Sequence, residues 1–190
     1  MSGYLLPQQT VLADTHLRMP WANGLGETIE LIRYPIGSSM GEMEFRISVA
    51  SLKQAGPFSR FVSVERTLLL LDAAEIVLDV DGVSEHLSQF EQLTFDGESV
   101  TELISLTAPS RDLNVMCRKG EWTSKVTALS LDGAKSAGSD QADLKVWIFV
   151  SGNAVDSTGR HLESLDMSVS QEMPKWLGTG AVIRVCLQHA

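Results

Sequence analysis

In Met43-Glu44-Phe45-Arg46-Ile47-Ser48-Val49 every odd position is apolar and every even position is polar. A side-chain period of two belongs to an extended strand with one face buried, and no helix can satisfy it. Residues 111–118 repeat the pattern. Leu113, Val115 and Cys117 point one way, and Asp112, Asn114 and Met116 the other. Further strands are expected at 28–34, 66–71, 75–80, 101–106, 124–131, 145–150 and 181–188. No segment carries an apolar stripe of helical spacing over three turns. Asp-Gly or Thr-Gly pairs at 81–82, 96–97, 132–133, 158–159 and 179–180 read as tight turns. Short strands broken by such turns predict an all-β sandwich or barrel.

The layout occurs twice. Leu68 to Leu78 reads as strand, tight turn, strand, and so does Trp147 to Asp156. Each is followed by a glycine turn (Asp81-Gly82, Thr158-Gly159), a polar stretch and a later strand. Two copies of a hairpin-plus-return unit suggest two related jelly-roll halves. They are expected mainly at 19–118 and 121–190 of a single 190-residue unit. Residues 132–143 are small and polar, as expected of a surface connection between the halves.

The formal net charge is −9 and the isoelectric point about 4.8. Such a chain lacks the basic face that nucleic acid or an anionic membrane requires, so neither partner is expected. A small anionic ligand remains compatible, because a few buried arginines override the overall field locally. No window approaches the roughly 20 apolar residues of a membrane span, and no basic leader precedes an apolar run. Cys117 and Cys186 sit in apolar strands and read as buried thiols of a cytoplasmic protein, with a disulfide left open.

No motif points to a metal or a cofactor, and none is expected. His16, His86, His161 and His189 lack the i, i+2 or i, i+4 spacing of metal ligands, and each reads as a surface or loop residue. There is no Gly-x-Ser-x-Gly elbow, no P-loop and no dinucleotide fingerprint. Chemistry is concentrated elsewhere. Trp21-Ala22-Asn23-Gly24-Leu25-Gly26 combines an aromatic face, an amide and two glycines just before a strand. That suits a pocket lip, and equally a plain loop. The polar strand face carries Arg46, Ser48, Arg66 and Asn114. With Trp21 and Asn23 these residues can assemble a pocket that reads carboxylates and amides. The alternative is that they are solvated, or paired with Glu44, Glu65 and Asp112.

Five segments in order carry a family resemblance: Met19-Pro20-Trp21-x-Asn23-Gly24-x-Gly26-x-Thr28, Phe45-Arg46-Ile47-Ser48, Gly56-Pro57-Phe58-Ser59-Arg60-Phe61, Arg66-Thr67-Leu68 and Arg111-Asp112-Leu113-Asn114-Val115-Met116. Together they resemble the HutD/Ves family over about residues 19–118, and the C-terminal half matches in layout only. The resemblance implies a two-lobed cupin, a bicupin of the RmlC-like jelly-roll type without the cupin metal motif. It places ligand-binding residues among Trp21, Asn23, Arg46, Ser48, Ser59, Phe61, Arg66, Arg111, Asp112, Asn114 and Met116. HutD members are associated with histidine utilisation, with a formylated glutamate as the suggested ligand, and Ves members with stress responses. The chain departs from the family pattern at Ala22 (a Lys is expected), Leu25 (a Gly) and Ile29 (an Arg nearby).

Three functions follow as expectations. The first is a non-enzymatic sensor of a small carboxylate or acylated amino acid, with Arg46 on the carboxylate, Asn23 and Asn114 on an amide, and Trp21 as lid. The second is a metal-free isomerase, epimerase or hydrolase, which needs a carboxylate poised near neutral pH. The third is an interaction module or homodimer with a vestigial pocket.

Overall fold

The computed structural model describes residues 9–21, 26–134 and 141–190. Among them run fifteen strands: β1 (Gln9–Val11), β2 (Leu17–Pro20), β3 (Glu27–Tyr34), β4 (Phe45–Leu52), β5 (Gly56–Pro57), β6 (Val64–Leu70), β7 (Glu75–Val80), β8 (Val83–Ser88), β9 (Gln92–Asp96), β10 (Thr101–Leu106), β11 (Ser110–Arg118), β12 (Trp122–Ser130), β13 (Leu144–Val155), β14 (Met167–Val169) and β15 (Leu177–His189). One 3-10 turn, Ala13–Thr15, and one short helix, α1 (Leu131–Ala134), are the helical segments among the described residues. The chain is all-β, and every strand expected from alternation is present. Strands β8 and β9 were not anticipated, because Val83–Ser88 and Gln92–Asp96 keep few inward apolar residues.

The chain divides into two compact units. One comprises residues 17–122, the other residues 123–190 with the segment ending at His16. The polar segment 132–143 therefore joins β12 to β13 within one unit rather than linking the two.

Within 17–122, a six-stranded sheet has the order β2-β3-β4-β11-β6-β9, and a four-stranded sheet the order β5-β10-β7-β8. Leu52, Leu68 and Leu70 of the first sheet pack against Ile76, Leu78, Leu87 and Leu103 of the second. That aliphatic contact is the main driving force for closing the jelly roll. Asp81 and Gly82 have φ of 52° and 85°, the paired positive values of a two-residue hairpin turn between β7 and β8.

The central strands correct one expectation. β4 was expected to be half-buried, yet Phe45 through Ala50 are all buried, the polar Arg46 and Ser48 included. The polar row faces the jelly-roll interior rather than solvent.

The 123–190 unit holds a five-stranded sheet of order β1-β14-β13-β15-β12. Leu131, Trp147, Phe149, Leu162, Trp176 and Val182 form its core. Two expected turns are absent here. Trp147–Asp156 is not a hairpin, since β13 runs continuously to Val155 with a bulge between Phe149 and Ser151. Thr179-Gly180 lies inside β15, where Gly180 pairs with Gly152. A Cβ on Gly180 would lie 2.2 Å from Ser151 O, so glycine serves close strand approach here rather than a turn. Asp132-Gly133 likewise falls in α1.

Gly97 does similar work next to the loop that follows β5. Phe61 N donates to Gly97 O (2.7 Å), Phe58 N to Thr101 O (2.9 Å) and Arg60 Nε to Glu98 O (2.7 Å). A Cβ on Gly97 would sit 2.6 Å from Phe61 O and 2.9 Å from Val64 O, both backbone atoms that cannot swing away. Gly97→Ala is expected to destabilise the protein by about 1–3 kcal/mol. Gly56→Ala, whose Cβ meets nothing within 4 Å, is expected to stay within about 0.5 kcal/mol of wild type. Urea denaturation of the two variants checks this, and equal losses would refute the close-approach account.

Candidate functional site

Antiparallel pairing places the polar row of three neighbouring strands on one face. Arg46, Met116 and Arg66 are register partners across β4, β11 and β6. Ser48 pairs with Asn114, and Ala50 with Asp112. On the outer side β3 adds Thr28 opposite Ala50 and Glu30 opposite Ser48. A register shift in β3 between Glu30 and Ile32 lets Arg33, opposite Arg46, share the face with Glu30. This row borders a cavity of about 510 Å³ within the 17–122 unit. Leu52, Leu103 and the 53–59 segment form the rest of its wall, and Trp21 stands at the rim.

The two arginines of the row are held differently. Arg46, 5% exposed, donates Nε to Glu30 Oε2 (2.7 Å) and Nη1 to Ser48 Oγ (3.0 Å). Glu30 also meets Arg33 Nε at 3.2 Å. Arg46 is thus ion-paired already, although to Glu30 rather than to Glu44, which accepts from Trp122 Nε1. Arg66, 4% exposed, has no carboxylate in direct contact. Its Nε donates to Asn114 Oδ1 (2.7 Å), and its guanidinium carbon lies 4.8, 5.5 and 6.0 Å from the ring centres of Phe58, Phe95 and Phe61. Aromatic faces offset part of the cost of a dry cation. Burial still lowers the Arg66 pKa to about 10, with Asp112 opposing and Arg46 adding to the fall. Nη2 of each arginine makes no hydrogen bond to any described residue.

Behind Asn114 lies Asp112, fully buried. Its Oδ2 accepts from Asn114 Nδ2, and its Oδ1 has no hydrogen-bond partner among the described residues. Desolvation raises its pKa to about 6, against the opposing pull of Arg66 and the Asn114 hydrogen bond.

Of the residues expected at the site, Trp21, Arg46, Ser48, Ser59, Phe61, Arg66, Asn114 and Met116 line the cavity. Trp21 presents a ring face only, because its Nε1 donates to Thr28 Oγ1 (2.9 Å), and the ring packs so closely on Gly26 that a Cβ there would lie 3.0 Å from it. Asp112 stands one residue behind the wall. Arg111 is elsewhere: alternation turns it away, and Asp72 grips its Nε (2.9 Å) and Nη2 (2.7 Å) at the β6–β7 corner. That pairing raises its pKa and makes it a fastener of the hairpin. Asn23, with Ala22, Gly24 and Leu25, lies outside the described residues. Ile29 is buried on the opposite face, opposite Val49. Sequence reasoning missed Glu30, Phe58 and Phe95 as site residues. Alternation in β3 hides Glu30 because the bulge reverses the parity of the strand.

The histidines are correct as loop or surface residues at 86, 161 and 189, but His16 is buried, with Nε2 2.9 Å from Leu165 O. Cys117 and Cys186 are buried thiols. Among the described residues no three His, Cys, Asp or Glu side chains are grouped to hold a metal ion, and no helix is long and apolar enough to cross a membrane.

Comparison with known proteins adds ancestry to this geometry. The HutD family profile matches residues 13–181. Protein Ves of Citrobacter koseri is 36% identical over 108 residues, 56% of each chain, so this chain matches little more than half the length of the Ves relatives. An uncharacterized 21.2 kDa protein in the hutC 3′ region of Pseudomonas putida is 28% identical over 160 residues, covering 84% of this chain and 83% of that one. Among solved structures, a conserved protein of unknown function from Pseudomonas aeruginosa PAO1 superposes with a TM-score of 0.78 at 21% identity, covering 96% and 99% of the two chains. HutD from Pseudomonas fluorescens SBW25 (formate condition) gives 0.73 at 23% identity, covering 97% and 100%.

Asp112 carries a pH signature. Its pKa is raised from 3.8 to about 6 on folding, so the native state binds the extra proton. Its contribution is therefore fully favourable below about pH 4 and is lost as pH rises through about 6, a change on the order of 3 kcal/mol. Asp112→Asn removes the titration. The stability of wild type relative to this variant is expected to fall by that amount across the window, measured by urea denaturation at each pH. A flat difference would contradict the assignment.

Proposed function

Because the chain belongs to the HutD family and has its all-β, two-lobed cupin fold, we propose that the 17–122 lobe binds a small carboxylate, such as an acylated amino acid, without metal and as a sensor rather than as an enzyme. One observation carries this reading: Arg66 is a dry guanidinium at a cavity wall whose nearest carboxylate is one residue removed. Such a cation gains most from an anion that arrives with two in-plane oxygens. Arg46 is the weaker anchor, since Glu30 already neutralises it. Its Nη2 and the Ser48 hydroxyl supply second contacts, and the Asn114 amide, buried but part of the cavity wall, reads an amide or carbonyl. Phe58, Leu52, Leu103 and Met116 give the remainder of the ligand an apolar seat. The P. putida relative is described by its place beside hutC, which supports a role linked to amino-acid catabolism. For the Ves relatives a stress-response role is the corresponding proposal.

A thermal-shift screen of acyl amino acids, histidine-pathway acids and sugar acids at low salt tests this. Saturation at a hundred times Kd is expected to stabilise wild type by about 2.7 kcal/mol, a rise of a few degrees in Tm. Arg66→Met is expected to lose the shift entirely, and Arg46→Met only part of it. Silence across the panel would favour an interaction module with a vestigial pocket.

A second reading, metal-free acid–base chemistry, is favoured by the Asp112 carboxyl titrating near neutral pH. Asp112 stands behind Asn114, so it would reach a substrate only through that amide. Turnover of a panel acid by wild type but not by Asp112→Asn would promote this reading over the sensor.

A further inference from the structure

We propose that a carboxylate enters this cavity together with one proton, and that Asp112, buried behind Asn114, is the residue that keeps the proton. The inference rests on the reading of the cavity as a carboxylate site and says how that site chooses and holds its ligand.

The hydrogen-bond order determines where the proton goes. Arg66 Nε can only donate, so the Asn114 atom facing it is Oδ1. The amide nitrogen then faces Asp112 and is accepted by Oδ2. That bond survives whether Asp112 is charged or neutral. Oδ1 is buried with no partner among the described residues. A charged carboxylate with one bare oxygen in a dry interior is unfavourable. A proton on Oδ1 removes the charge and leaves Asn114 and Arg66 where they are.

The surroundings leave Arg66 as the main counter-charge. On β6, Arg66 faces the site and Glu65 is exposed. On β4 the charged group is Arg46, tied to Glu30 of β3, with Arg33 beyond. On β11 itself Arg111 is turned to Asp72. Leu70, the register partner of Asp112 on β6, packs into an apolar, uncharged cluster with Leu52, Ile76, Leu78 and Leu103. Arg66, the Asn114 amide and the residue's own backbone N–H favour the ionised form, and desolvation outweighs them.

An anion docked on Arg66 offsets that cation as felt by Asp112 and adds a negative charge nearby. Both effects favour the neutral acid. By reciprocity, neutral Asp112 leaves Arg66 unopposed and strengthens its hold on the anion. The pairing also narrows the ligand class. The ligand must stay ionised where Asp112 is neutral, which selects carboxylates over weaker acids such as phenols.

The test uses formate as probe, with the full chain. The Asp112 side-chain carboxyl is titrated by carbon-13 NMR without anion, with saturating formate, and with chloride at matched ionic strength. Formate, and not chloride, is expected to raise its midpoint by about one unit or more. The formate Kd is expected to tighten as pH falls through the two midpoints, by about tenfold in all for each unit of midpoint shift. Asp112→Asn, an amide in place of the neutral acid, is expected to bind formate tightly with no pH dependence, which a purely structural role for Asp112 would not produce. Resonance shifts at Arg66 and Asn114 with an unmoved Asp112 midpoint would overturn the proton coupling while leaving the carboxylate site intact. No shift at these residues with any formate concentration would overturn the site itself.

Discussion

The guanidinium of Arg66 sits in a place where water would normally be required to hold it. Removing a cation from water costs several kcal/mol unless neighbours replace the lost hydration. Three phenyl faces and the Asn114 carbonyl do so, with Asp112 behind them as the distant counter-charge. Each neighbour is delivered by a different part of the fold. Asn114 and Asp112 come from β11, Phe95 from β9, and Phe58 and Phe61 from the loop that Gly97 and Glu98 carbonyls anchor. Dislocating any of them exposes an unsatisfied charge, so the register of β4, β11 and β6 and the position of that loop are coupled to one side chain.

The second arginine shows why geometry and not residue type decides a role. Arg46 and Arg66 are register partners of the same Met116, equally buried, and face the same cavity. A single bulge in β3 brings Glu30 onto the face beside Arg46. Arg46 then becomes part of an internal ion cluster with Glu30 and Arg33. Arg66, one strand beyond Asn114, keeps only an indirect acid. The difference in available charge between the two positions arises from one extra residue in a neighbouring strand.

The 123–190 unit makes a contrast within the same chain. Its sheet also carries basic residues on an inward row, with Arg184 paired to Trp147 and its guanidinium 5.8 Å from that ring. There, however, Trp147, Phe149, Trp176 and Leu131 fill the interior. Large aromatic side chains pack against one another there, so among the described residues this inward row borders a hydrophobic core.

The alternation in residues 43–49 and 111–118 determined by itself that the chain is built from strands, and the five ordered segments determined the family. Both are local properties: a period of two needs only neighbouring residues, and a family motif only its own letters. The turns expected at Thr179-Gly180 and within Trp147–Asp156 are absent because glycine serves both reversal and close strand approach, which differ only in what lies opposite. Tertiary structure alone decided that the polar row is interior, that Arg111 is a hairpin fastener, and that Arg66 rather than Arg46 is the less compensated cation. Each of those outcomes depends on which residues from distant strands share a face. Desolvation and pairing energies are set by these neighbours, and no single stretch of sequence contains them.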